Sequence, residues 1–132
     1  MAHTADTTIE AWAPDRAGCV AEAVRGLIDG FVDVPAATAR GSVPVEFADD
    51  DNADLLVSAL EEVLFLLEVA GQVVVGIELA DVASDGIVGF VDVAPVGAVR
   101  QIGPAPKAVT RHELRLQPNG SGGWTARVTV DV

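Results

Sequence analysis

From Thr4 to Trp12 the chain alternates. Ala5, Thr7, Ile9 and Ala11 fall on one side, and Thr4, Asp6, Thr8, Glu10 and Trp12 on the other. Successive side chains of a strand point to opposite faces, so this period of two predicts a strand with one face buried. The period then lengthens. Pro14 and Asp15 are helix-start signals. After them Cys19, Val20, Ala23, Val24, Leu27, Ile28 and Phe31 recur at spacings of three and four, one apolar stripe of a first helix. Val34 to Gly41 carries Pro35 and small residues and reads as a loop.

Ser42 to Ala48 reads as a short strand with Val43, Val45 and Phe47 on one face. The acidic run Asp49, Asp50, Asp51, with Asn52 and Asp54, lacks the glycine and glutamate spacing of a calcium-binding EF-hand loop. It suits the cap and first turn of a helix, where carboxylates meet free backbone N–H groups. That second helix carries a wide apolar face of Leu55, Leu56, Ala59, Leu60, Val63, Leu64, Leu67 and Ala70. Phe65 and Leu66 widen it near the end, so another element is expected to cover that end. Gly71 is placed to terminate it.

Val73 to Val82 and Ile87 to Val96 flank Ser84-Asp85-Gly86 and predict a hairpin. Val99 to Pro106, with Gly103 and two prolines, reads as a loop. Ala108 to Leu116 and Trp124 to Val132 flank the glycine-rich Pro118 to Gly123 and predict a second hairpin. In the last strand Trp124, Ala126, Val128 and Val130 face one way and Thr125, Arg127, Thr129 and Asp131 the other. The order β, α, β, α, then four strands predicts an α+β fold, with two helices packed on one face of a mostly antiparallel or mixed sheet.

Composition narrows the function. A length of 132 residues predicts a single domain over residues 1–132, large enough to fold without disulfides or a structural metal. Eight basic against twenty acidic residues give a net charge of −12. Direct nucleic-acid binding is not expected, because it rests on clustered Lys and Arg, and this chain has Lys107 and scattered arginines. A basic protein partner or metal cations are favoured instead. No secretory signal or membrane-length apolar run is visible, so a cytoplasmic protein without membrane contact is expected.

Candidate chemistry is sparse. His3 and His112 are the only histidines, no serine lies in a nucleophile elbow, and no phosphate-binding glycine motif occurs. Cys19 lies on the apolar stripe of the first helix, which predicts a buried, inert thiol. His112 shares its predicted strand face with Leu114 and Leu116, which predicts a core or edge histidine rather than a ligand. No enzyme constellation and no small-molecule substrate are expected. One arrangement is suggestive. If the first and last strands are antiparallel neighbours, Asp6, Asp131 and the α-carboxylate of Val132 converge. Unpaired, such groups repel and raise a pKa, and a hard divalent cation relieves that cost. On the residues alone, two solvated acids at strand ends is the favoured reading.

Several segments together resemble the archease family. His3-Thr4-Ala5-Asp6 is similar to its HTAD signature, and Asp54-Leu55-Leu56-Val57, leading into Leu64-Phe65-Leu66, is similar to its DLLV helix. Lys107-Ala108-Val109-Thr110 with His112 resembles its KAVTYH strand, and Gly123-Trp124-Thr125-Ala126-Arg127-Val128 with Asp131-Val132 its ending. The resemblance spans nearly the whole chain, in family order. The chain departs from the family at Thr8 and Glu113, where glycine is usual, and at Arg111, where tyrosine is usual.

The resemblance implies a small non-catalytic protein cofactor of an RtcB-type RNA ligase, in tRNA splicing and RNA repair. It implies promotion of ligase guanylylation by GTP and of multiple turnover. It further implies a divalent metal ion, calcium in the family's site, held by Asp6, Asp131 and Val132. His3, part of the signature, is either a group that orients a carboxylate or a free N-terminal side chain. The rival readings are a chaperone-like modulator of another RNA-processing enzyme, such as an RNA methyltransferase, and a small hydrolase.

Overall fold

The computed structural model describes residues 6–132. It contains β1 (Asp6–Ala13), α1 (Arg16–Asp29), β2 (Gly41–Ala48), α2 (Asn52–Glu68), β3 (Gln72–Ala83), β4 (Gly86–Pro95), β5 (Ala108–Pro118) and β6 (Trp124–Asp131). Single 3-10 turns occupy Val34–Ala36 and Val96–Ala98, within or beside the two predicted loops. The α+β class and the element order are as the pattern predicts.

The strands divide into two antiparallel three-stranded sheets, ordered β1-β6-β5 and β2-β4-β3, where one sheet was expected. Periodicity reports which face of a strand is buried, not which strand lies beside it. Both helices touch strands of both sheets. Their stripes and the inner strand faces form one continuous core: Ile9, Ala11, Val128 and Val130 from one sheet, and Val45, Phe47, Ile87 and Val91 from the other. Every residue of the α1 stripe is buried.

Local chemistry sets the element ends. Asp15 caps α1, its carboxylate accepting from the Gly18 N–H at 2.6 Å. Asp51 caps α2 by accepting from Ala53 N–H (2.7 Å) and Asp54 N–H (3.2 Å), as the acidic run predicts. Gly71 follows α2 with φ +64°, a left-handed conformation that costs glycine little. The C-terminal end of α2 is not covered as expected: Leu66 is buried, but Phe65 is 53% and Val69 70% exposed.

Arg16 is buried at the start of α1. Its Nε donates to Asp81 at 2.7 Å, its Nη1 to Asn52 Oδ1 at 3.1 Å and to the Ser84 carbonyl, and its Nη2 to the Ala83 carbonyl at 2.7 Å. One guanidinium thereby joins α1, the start of α2 and the β3–β4 turn. A buried charge is tolerated only when paired and fully hydrogen-bonded, and this one is.

Candidate metal centre

β1 and β6 pair antiparallel along their whole length, so the start of one lies beside the end of the other. Asp6 stands opposite Asp131, Thr8 opposite Thr129, Glu10 opposite Arg127 and Trp12 opposite Thr125. Directly opposed residues share a face, and residues two apart along a strand do too. These eight therefore line one face, turned away from the side that buries Ile9, Ala11, Val128 and Val130. The geometry anticipated for Asp6 and Asp131 is present. Val132 follows directly after Asp131. His3 lies outside the described residues.

The Asp131 carboxyl is raised above its ordinary pKa. The chief cause is a hydrogen bond with the Asp6 side chain; partial desolvation and the repulsion of the Asp6 charge act the same way. Two carboxyls in contact resist a second ionisation, which raises a pKa of the pair. An all-oxygen donor set of this charge suits a hard divalent cation. Among the described residues no group of three or more His, Cys, Asp or Glu side chains comes together. The side-chain set is the pair itself, so a cation held there would need further oxygens, from the terminal group expected at Val132, main-chain carbonyls, water or a partner.

β5 closes the other side of β6. Ala108 stands opposite Asp131, and Thr110 opposite Thr129. The Lys107 N–H donates to the Asp131 carbonyl at 2.8 Å, and the Lys107 charge pulls the Asp131 pKa down against the other influences. Sequence reasoning quoted Lys107 without giving it a role; that it is the chain's single lysine was the available signal. Thr8, Thr129 and Thr110 make a row of hydroxyls one step in from the carboxyls. Thr8 and Thr129 are in contact at 3.3 Å, while the buried Thr110 Oγ1 finds no partner among the described residues.

Beyond Thr110 the pairing breaks and resumes at Arg115 opposite Arg127. The extra residues form a bulge in which Glu113 takes φ +54°. His112 lies in it and is exposed on this edge strand, so it does not share a core face with Leu116. Arg111 reaches α2 from the bulge and pairs with Asp54 at 2.6 Å. Glu113 pairs with Arg127 at 3.0 Å, and Arg127 also holds Glu10. Cys19 is fully buried, its Sγ 3.6 Å from the Ala11 carbonyl, and burial first, then Glu22 and Asp15, pushes its pKa up to about 11. It is the inert thiol that its helix position predicts.

Known proteins resemble this chain along its length. The chain is 42% identical over 130 residues to a Mycobacterium tuberculosis protein named "Probable protein archease", spanning 98% of this chain and 72% of that one. It is 28% identical over 134 residues to "Protein archease" of Methanopyrus kandleri, spanning 98% and 95%. The fold matches the solution structure of Methanobacterium thermoautotrophicum protein 1598 with a TM-score of 0.74 at 23% identity, over 100% of this chain and 96% of that one. The Archease protein family model matches residues 1–132. With 42% identity to a relative and a family match along its length, the chain belongs to the archease family.

Proposed function

We propose that this protein is a non-catalytic activator of an RtcB-type RNA ligase, promoting guanylylation of the ligase by GTP and its repeated turnover in tRNA splicing and RNA repair. The observation that carries the reading is the Asp6–Asp131 pair, in register on one sheet face. Asp6, Asp131 and the Val132 carboxylate are the groups that would hold a divalent cation, calcium in the family's site. Bound there, a cation supplies positive charge to phosphate oxygens.

The chain's own residues prepare that function. Backbone pairing on both sides of β6 fixes where the Asp131 carboxyl stands, so little rearrangement is needed when a ligand arrives. Lys107 offsets part of the charge. The Thr8–Thr129 contact holds the floor of the site. The sparse set of nucleophiles and bases supports an assisting rather than a catalytic role. No described helix is long and apolar enough to cross a membrane, and a cytoplasmic setting is part of this proposal.

The test is multiple-turnover RNA ligation by the cognate ligase with GTP, with and without this protein, beside Asp6→Ala. The expected result is stimulation that the variant loses. No stimulation by folded protein with metal supplied would move the function to another partner.

A further inference from the structure

Trp12 is 71% exposed, more than any other large hydrophobic side chain among the described residues. It stands on the same face of β1 as Asp6, six residues on, about 20 Å along the strand. The positions between them are occupied with one another: Thr8 with Thr129, and Glu10 with Arg127. Trp12 therefore presents apolar area at one end of a polar face whose other end is the carboxylate pair.

A groove of about 340 Å³ runs beside it, between β1 and α1, and its walls include Glu10, Trp12, Glu22, Arg25 and Asp29. Arg25 is engaged by Glu22 at 2.6 Å and by the Ile77 carbonyl at 2.8 Å. Glu22 is paired with Arg25, Glu10 shares Arg127 with Glu113, and Asp29 makes no ion pair among the described residues, so the groove stays negative. An indole face beside excess negative charge is chemistry for a cation: the ring attracts it electrostatically and the carboxylates pair with its neighbours. The net charge of −12 draws a basic surface in from a distance and repels an acidic one or a nucleic acid.

We infer that Trp12 and this groove form the surface by which the protein grips its ligase, and that the occupant is a lysine- or arginine-bearing segment of the ligase surface stacked on the indole. The inference rests on the activator reading above. Under it, β1 is a ruler: docking at Trp12 fixes how far the carboxylate pair reaches into the partner.

Titration of the protein into the multiple-turnover ligation assay separates grip from activation. Trp12→Ala is expected to raise the concentration for half-maximal stimulation about tenfold or more, with the ceiling still reached at saturation. Added salt is expected to raise it for the unaltered protein. Asp6→Ala shows the opposite split: it loses the ceiling yet competes with unaltered protein, and the Trp12→Ala/Asp6→Ala double variant does not compete. The double charge reversal Glu22→Lys/Asp29→Lys repeats the test at exposed helix positions and carries it alone should Trp12→Ala fail to fold. An unchanged half-maximal concentration in a folded variant overturns the inference and leaves the activator reading standing. No stimulation by the unaltered protein overturns both.

Discussion

The carboxyl of Asp131 is hydrogen-bonded to that of Asp6 across the β1–β6 pair, and its pKa is raised for that reason first. The native chain therefore holds a proton at Asp131 to higher pH than the unfolded chain, where the ordinary value is 3.8. Such a group adds stability as pH falls through its native pKa and withdraws it as pH rises. Asp131→Asn should accordingly raise Tm at neutral pH, and the gain should shrink to nothing below the ordinary carboxylate range. A Tm difference independent of pH would refute the carboxyl-pair account of the raised pKa.

Calcium addition should reverse the sign of that comparison. A ligand that binds only the native state stabilises it by mass action, by about 2.7 kcal/mol at a hundredfold excess over Kd. The unaltered protein should gain Tm with added calcium, and Asp6→Ala and Asp131→Asn should not. Isothermal calorimetry on the same three proteins checks whether the loss is one of binding.

Glu113 occupies a left-handed backbone position at φ +54° and is compensated by its ion pair with Arg127. A side chain there costs roughly 1 kcal/mol that glycine does not incur, whereas an exposed ion pair returns about 0.2–1 kcal/mol. Glu113→Ala keeps the strain and loses the pair, so Glu113→Gly should be the more stable of the two by about 1 kcal/mol. Urea unfolding of both variants decides it.

Arg16→Met should cost about 1–2 kcal/mol, because the link from α1 to α2 and the β3–β4 turn is lost while the exposed acceptors Asp81, Ala83 and Ser84 can turn to water and Asp81 keeps the Ala17 N–H. The loss should appear as a lower urea midpoint with an unchanged slope. Ligase stimulation at low temperature, where the variant is folded, should survive, since the bonds of Arg16 run to Asp81, Asn52 and the β3–β4 turn and not to the Asp6–Asp131 pair.

Cys19 should resist alkylation in the native protein at neutral pH, since it is fully buried and its pKa stands near 11. It should react at once in denaturant. Native labelling at the unfolded rate would mean that α1 opens far more readily than its packing implies.

Much of this architecture was legible because it is written in short-range periods. The stripe from Cys19 to Phe31, the Asp51 cap and the Ser84-Asp85 turn needed only local rules. The opposition of Asp6 and Asp131 needed one further assumption, the pairing of the end strands, and the structure supplies it. What was not legible depends on neighbours distant in the chain. The split into two sheets follows from which strands find each other. The buried Arg16 depends on backbone carbonyls some seventy residues away that no motif marks. The bulge at Glu113 hid behind a residue type that disfavours the conformation it adopts, and so His112 was assigned a face it does not have.

The two threonines that floor the carboxylate site are 121 residues apart in sequence. Among the described residues β1 has β6 as its one sheet neighbour. Both helices and the whole second sheet lie between them in sequence, so all of that chain must fold back before Asp6 and Asp131 can stand opposite each other. Contacts of such separation form slowly, because a long loop has to close first. The carboxyl pair is therefore a late product of folding, and a fluctuation that parts these two strands dissolves it while the helices and the second sheet persist.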